Sequence, residues 1–324
     1  MTVVLTASDV AALLRRDEVR DALEEAHADL ARGLAQVPAP AAMTSADRGS
    51  HLPMAAVAGR YAGVKMLADL PANAERGLPV QRSAILLTSA ATGECLALVD
   101  GRLVTAVRTA AASAVATRHL ARRDATVLGL VGAGALAVEH TRAIAKIRPI
   151  ERVVVWSRTE ATLTAYRREI DGLDLEIVAA ADAEEVVRTA EVVCTLTPSR
   201  TPLVRGAWFG AGLHVNAVGA PPRPDHREVD GAGLARARLI VDSRATALAK
   251  SGEVLLAIAE GHITEDDLTD LGQVIVGAAP GRTGDDDITL FNSVGLGLQD
   301  VVTAGLLVEH ARREKVGTTV DLRS

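Results

Sequence analysis

Aromatic side chains are scarce in this sequence, with two Trp, two Tyr and two Phe among 324 residues. A well-packed interior must therefore be assembled from Ala, Val, Leu and Ile, which suits helices lying close on a sheet. So few rings leave little to stack on bases, which argues against single-stranded nucleic-acid binding. Long basic runs are missing and the formal net charge is −6, so neither a DNA-binding surface nor a polybasic membrane patch is indicated. Cysteine is limited to Cys95 and Cys194, far apart and outside any CxxC pair, which points to a reduced, cytoplasmic setting. No apolar run approaches the roughly 18–20 residues that span a bilayer. The opening MTVVLTASDVAALL has no basic n-region and carries Asp9, so it does not read as a signal peptide.

What is present is a 48% hydrophobic chain, long enough for about two domains. Residues 8–35 read as a helix with a Ser8 or Asp9 cap and Gly33 as its stop. Strands with Pro-rich edges follow around 36–58. A largely antiparallel stretch then contains AILLTS and CLALVDG around the turn ATGE. The pattern changes at LVTAVRTAAASAVATRHLARR, an Ala-rich helix ending on Arg122 and Arg123. From Asp124 short apolar strands alternate with helices. TVLGLVG, RVVVWSR, LEIVAA, EVVCTLT, LHVNAVG, ARLIVDS and QVIVGA read as strands, and 134–147, 160–170 and DAEEVVRTA as helices. That alternation predicts an α/β domain with a doubly wound parallel sheet. The segment from Ser293 to Lys315 reads as a long terminal helix.

Within the first of these strand–helix units, Gly132, Gly134 and Ala137 form G-x-G-x-x-A, directly after a strand and opening a helix. In that context the spacing is a dinucleotide fingerprint; elsewhere it is a plain βα turn. Gly132 permits the tight turn, Gly134 lets backbone approach a pyrophosphate, and Ala137 keeps helix and strand close. The amides opening the helix, Ala135 among them, suit phosphate oxygens. The next strand ends in Ser157, Arg158 and Thr159, where an NAD site usually carries an acid for the ribose hydroxyls. A guanidinium beside two hydroxyls suits a 2′-phosphate, so NADPH is expected over NADH. Thr197 and Val218 follow later strand ends and are expected beside the cofactor.

The motifs GVKML, LVTAVRTAAASAVATRHLARR, LGLVGAGALA, VNAVGA, RPDHREVD and ITLFNSVGLGLQD together resemble the ornithine cyclodeaminase/mu-crystallin family, nearly end to end. The resemblance implies a Rossmann domain, 124–291, inserted in an α+β substrate and dimerisation domain formed by 1–123 and 292–324. It also implies a homodimer. The activities it implies are reduction of a ketimine or imine, amino-acid dehydrogenation, or ornithine-type cyclodeamination.

By the same resemblance Lys65 faces the substrate and Arg108 binds its carboxylate. A desolvated lysine can move its pKa into the range of proton transfer, and a guanidinium grips carboxylates bidentately. Without the resemblance Lys65 would read as a snorkelling surface residue. Arg108 is expected at the start of the Ala-rich helix, where the helix N-terminus adds to the anion site, with Thr109 either capping that helix or contacting a phosphate. Two departures stand out. The family's second arginine, before the lysine, is replaced at or near Ala41, with Arg48 a possible loop substitute. The cyclodeaminase aspartate is replaced by Pro221-Pro222, with Asp225 and His226 as later proton-donor candidates. Asp300 matches a recurrent family aspartate and reads as a structural hydrogen-bonding residue. Asp285, Asp286 and Asp287 read as a solvated turn, and no metal is expected. The leading expectation is an NADPH-dependent C=N reductase acting on a cyclic ketimine or on an α-imino acid formed from a keto acid and an amine. A cyclodeaminase with recycled NAD and a non-catalytic NADPH-dependent ligand-binding protein are the alternatives.

Overall fold

The computed structural model describes residues 1–45 and 49–322. In chain order the elements are β1 (Thr2–Leu5), α1 (Ala7–Leu13), α2 (Arg16–Ala31), β2 (Ala35–Gln36), β3 (Met43–Thr44), β4 (Ser50–Ala58), β5 (Tyr61–Asp69), β6 (Gln81–Ser89), β7 (Cys95–Asp100) and α3 (Gly101–Leu120). They continue with β8 (Val127–Val131), α4 (Ala135–Ile144), β9 (Arg152–Trp156), α5 (Glu160–Ile170), β10 (Glu176–Ala179), α6 (Ala183–Thr189), β11 (Val192–Thr195) and β12 (His214–Ala217). The last are α7 (Gly231–Arg236), β13 (Arg238–Val241), α8 (Arg244–Lys250), α9 (Gly252–Ala259), β14 (Thr269–Asp270), α10 (Leu271–Ile275), β15 (Thr289–Asn292), α11 (Gly297–Glu314) and β16 (Thr318–Val320). Two compact units result: unit 1 is Met1–Arg108 with Leu296–Ser324, and unit 2 is Thr109–Gly295, inserted between them in sequence.

Unit 1 is built on a mixed sheet ordered β16-β1-β7-β6-β5-β4-β2, with β3 on β4. Its pairings are antiparallel except β1 with β7. Period-two alternation sends Leu52, Met54, Ala56, Leu67, Ile85, Leu87 and Val99 inward, while Val57, Met66, Leu86 and Leu98 stay exposed on the other face. Helix α11 packs on β4 and β5. Its first residue must be small, since a Cβ at Gly297 would stand 2.5 Å from the Ala55 carbonyl oxygen. That close approach presents the first turn of α11 to the sheet.

The N-terminal helical region differs from the expectation of one helix over 8–35. Thr6, not Ser8 or Asp9, caps α1, and Asp9 closes the capping box on the Thr6 amide at 2.9 Å. The chain then breaks at the extended Leu14 and Arg15 before α2 begins. No Gly or Pro marks this break. It is held by burial of both Leu13 and Leu14 and by His310, whose Nδ1–H donates to the Leu13 carbonyl at 2.9 Å.

Unit 2 is an all-parallel sheet ordered β10-β9-β8-β11-β12-β15-β13-β14, the Rossmann type of doubly wound α/β fold. The strand order reverses between β8 and β11, so the carboxyl ends of those two strands flank the switch point. QVIVGA is not a strand. Leu271, Val274 and Ile275 fall at helical spacing, and as α10 they pack with Val115, Leu120, Ile240 and Phe291. The strand expected there is supplied instead by β15, from ITLFN, between β12 and β13. The unit boundary lies inside α3, earlier than residue 123, because Val115, Ala116 and Leu120 join that same core.

Candidate active site

In unit 1 a polar cluster is buried under the sheet. Lys65 sits at mid-strand in β5, between Met54 of β4 and Ile85 of β6, and its side chain is 0% exposed. It is not a snorkelling surface lysine. Its Nζ donates to Asp300 Oδ1 at 2.9 Å and stands 2.8 Å from Oδ2. Asp300, in the first turn of α11, also accepts from Arg108 Nε at 3.2 Å. Gln299 turns its Oε1 to Arg108 Nη1 at 2.7 Å, and its amide lies 3.3 Å from His27 Nε2 of α2. Burial pushes His27 down to about 4, so the ring is neutral at pH 7, and its Nδ1 has no hydrogen-bond partner among the described residues. Arg108 Nη2 carries no hydrogen bond among the described residues.

The cluster formally sets one carboxylate against two cations in a dry interior. Burial, then the Arg108 charge, push Lys65 down from the ordinary 10.5 to about 8, against the pull of Asp300. A lysine so placed exchanges a proton near neutral pH. The uncompensated positive charge and the spare Nη2 suit a small carboxylate.

Arg108 is not at a helix start. It is the eighth residue of α3, which begins at Gly101, so the helix terminus adds nothing to its anion binding, and the buried Thr109 cannot cap that helix. The sequence pattern places the helix start too late because the Gly101 turn reads as a loop. Ala41 is exposed and precedes β3, outside any strand, and Arg48 lies outside the described residues.

In unit 2 the strand β8 runs into Gly132, whose φ of +111° only glycine adopts readily and whose amide donates to the Trp156 carbonyl at 2.9 Å. A side chain there would also press on the Leu196 carbonyl oxygen at 3.1 Å. Gly134 is the N-cap of α4 without any side-chain cap, and a Cβ on it would meet nothing within 4 Å. The amides of Ala135 and Leu136 carry no hydrogen bond among the described residues. Open space before unpaired amides on a ten-residue helix fits a dinucleotide pyrophosphate. Ser157 is half-buried, and Arg158 is exposed without a partner among the described residues. Thr159 is occupied as the cap of α5, accepting from the Thr162 amide at 3.3 Å. Thr197 donates through both amide and hydroxyl to Glu228, and Val218 is buried just past β12.

Asp225 lies in the segment after β12. Its side chain is 58% exposed, and it is bonded to His226 at 2.9 Å and paired with Arg200. The His226 hydrogen bond holds its carboxyl below the ordinary range, which suits an ionised surface group rather than a proton donor. Asp287 accepts from Thr283 and Gly284, as a turn-closing residue does. Sequence reasoning missed Gln299 and Glu228. The adjacent Gln299 and Asp300, in the otherwise largely apolar first half of that helix, were a usable signal of a buried polar pair. Glu228, inside RPDHREVD, had none.

Comparison with known proteins places this geometry. The sequence profile of the ornithine cyclodeaminase/mu-crystallin family matches residues 1–315. The chain belongs to that family. It is 34% identical to an alanine dehydrogenase of Archaeoglobus fulgidus over 320 residues, 98% of each chain. Its fold matches a Thermococcus litoralis Δ1-pyrroline-2-carboxylate reductase, solved with NADH and L-proline, with a TM-score of 0.95 and 33% identity over 98% of this chain and 100% of that one. An archaeal alanine dehydrogenase dimer with bound NAD matches with a TM-score of 0.94 and 33% identity over 99% of both chains. Within the family, these relatives put the chain among the oxidoreductases acting on CH–NH groups.

Proposed function

We propose that the protein is a nicotinamide-dependent reductase of the C=N bond in a small α-imino acid, either a cyclic ketimine or the imine of a 2-keto acid, with NADPH as its preferred cofactor. The observation that carries this reading is the buried Lys65–Asp300–Arg108 cluster, with its surplus positive charge and its lysine moved to about 8. Arg108 Nη2 takes the substrate carboxylate, and the Asp300 and Gln299 acceptors hold the guanidinium in place for it. Lys65 Nζ gives the proton that reduction requires at the imine nitrogen, and Asp300 keeps that ammonium aimed. When bound, the reduced nicotinamide supplies the hydride for carbon. In unit 2 the amides at Gly134, Ala135 and Leu136 hold the pyrophosphate. Ser157 and Arg158 hold the adenosine ribose and its 2′-phosphate. The relatives named above were solved with NADH and NAD, so the preference for NADPH rests on Arg158 standing where an acid would serve NAD.

A homodimer is the assembly we favour. The exposed sheet face with Val57, Met66, Leu86 and Leu98 is a contiguous apolar surface of the kind that marks a protein interface, and a family relative crystallised as a dimer.

The test is cofactor oxidation, followed by absorbance, with NADPH and NADH against a panel. The panel holds five- and six-membered cyclic ketimines, and pyruvate, glyoxylate and oxaloacetate each with ammonia or methylamine. Turnover with one substrate group and NADPH is expected. Lys65→Ala should abolish turnover with cofactor binding nearly intact. Full activity in that variant refutes the role of Lys65, and ammonia release from ornithine without cofactor consumption refutes the reductase.

A further inference from the structure

In a doubly wound sheet the adenosine ribose lies over the strand after the nucleotide helix, here β9. The other half of a dinucleotide must then run across the switch point, over the carboxyl ends of β11 and β12. Those two strands are followed by the segments Leu196–Thr197 and Val218–Gly219, which touch. A Cβ at Gly219 would lie 2.1 Å from the Thr197 amide nitrogen, and one at Gly132 would lie 3.1 Å from Thr197 Cγ2. The nucleotide loop and both segments thus form one close-packed layer.

One side chain ties that layer from beneath. The carboxylate of Glu228, 0% exposed, accepts four hydrogen bonds, two on each oxygen. Oε1 takes the Thr197 amide at 2.6 Å and the Thr197 hydroxyl at 2.7 Å. Oε2 takes the Thr195 hydroxyl at 2.8 Å and the Gly219 amide at 2.8 Å. Behind it, Glu253 of α9 accepts the Glu228 backbone amide at 3.1 Å and leaves its own Oε2 without a hydrogen bond among the described residues. Burial and the nearby Glu253 charge push the Glu228 carboxyl upward, while the Thr197 and Thr195 donors pull it back, and the four donors converging on its two oxygens match the ionised form; burial also pushes Glu253 upward. Two buried acids side by side destabilise a fold, so fold stability alone does not account for them.

We propose that Glu228 is a positioning residue for the nicotinamide half of the cofactor site, setting the β11 segment against the β12 segment through one carboxylate. This rests on the nicotinamide reading above. Valence is what singles out a carboxylate. The Thr197 and Gly219 amides are fixed donors that approach different oxygens, so only a group with two acceptor oxygens on one carbon satisfies both. The isosteric Glu228→Gln has one such oxygen. Its NH2 faces either the Thr197 or the Gly219 amide donor to donor, and one segment must move away.

The experiment compares wild type with Glu228→Gln by calorimetry, using two probes. One is the dinucleotide itself, NADPH with NADH as the alternative. The other is its adenine half, adenosine 2′,5′-bisphosphate or ADP. The variant should bind the dinucleotide at least about tenfold more weakly, in the range of a lost charge-assisted hydrogen bond. It should bind the adenine half within about twofold of wild type and turn over more slowly at saturating cofactor with the imine KM unchanged. Arg158→Ala should instead weaken the adenine half. Equal weakening of both probes by Glu228→Gln would reduce Glu228 to general structural support and overturn the proposal, as would unchanged dinucleotide binding. Should Glu228→Gln fail to fold, Thr195→Val removes one of the four bonds without touching charge. The same split is then expected at about fivefold, and its absence overturns the proposal. A wild-type protein that binds neither dinucleotide overturns the cofactor reading itself, a result separable from any behaviour of the variants.

Discussion

Replacing Lys65 with methionine keeps the buried stem and deletes the ammonium, and it should make the protein more stable while stopping turnover. The folded protein binds the Lys65 proton only up to about pH 8, whereas an ordinary lysine holds it to 10.5. Below pH 8 both folded and unfolded chains carry the proton. The folded state then bears the full penalty, about 3 kcal/mol at 1.36 kcal/mol per pKa unit. Between pH 8 and 10.5 the folded state sheds the proton first, the unfolded state binds more, and stability rises with pH. Lys65→Met removes the penalty and leaves Asp300 its Arg108 partner. At pH 7 the variant should therefore gain up to about 3 kcal/mol, and its stability should lack the rise between pH 8 and 10. Urea denaturation followed by circular dichroism at pH 7, 8, 9 and 10 measures both. Turnover should fall by about 10²–10⁴, the usual contribution of a placed proton donor. In the wild type, imine reduction should decline above pH 8 as Lys65 loses its proton. A variant less stable at pH 7 would show that the Asp300 attraction outweighs desolvation, and would refute the surplus positive charge ascribed to the cluster.

Arg158→Asp should lower the NADPH over NADH ratio of kcat/KM by about 100-fold, the scale of a charge-assisted bond exchanged for repulsion; an unchanged ratio rejects the 2′-phosphate role. Gln299→Leu strips Arg108 of its Nη1 acceptor, so the imine KM should rise about tenfold with the cofactor Kd unchanged; an unaltered KM means that Gln299 does not hold the guanidinium. Leu86→Glu places a charge on the apolar sheet face, and light scattering should report a dimer for the wild type and a monomer for the variant; a dimeric variant moves the interface elsewhere.

Much of this architecture is written in local pattern. The β8–α4 turn is legible because Gly132 needs its positive φ and Gly134 its open space, and both demands are met within six residues of sequence. Alternating short apolar strands and helices likewise disclose the parallel sheet. The misreadings arise where burial overrides pattern. Val274 and Ile275 look like strand residues until Leu271 is counted with them at helical spacing. Leu13 and Leu14 end a helix without any breaker residue. That the substrate-side residues form one cluster was visible only through family resemblance, because its contacts are remote in sequence: Lys65 and Asp300 are 235 residues apart. Glu228 was invisible for the same reason. A glutamate three positions after the exposed Asp225 reads as surface until the strands that donate to it are in place.

The scarcity of rings gives the molecule an optical simplicity. Its near-ultraviolet emission comes from two indoles, Trp156 and Trp208. The first closes β9, and its carbonyl accepts the Gly132 amide, so it is bonded directly to the turn that opens the nucleotide helix. An indole at that point lies within energy-transfer range of a reduced nicotinamide dinucleotide held at the same turn. The unlabelled protein thus carries its own reporter of occupancy, with one other tryptophan as background.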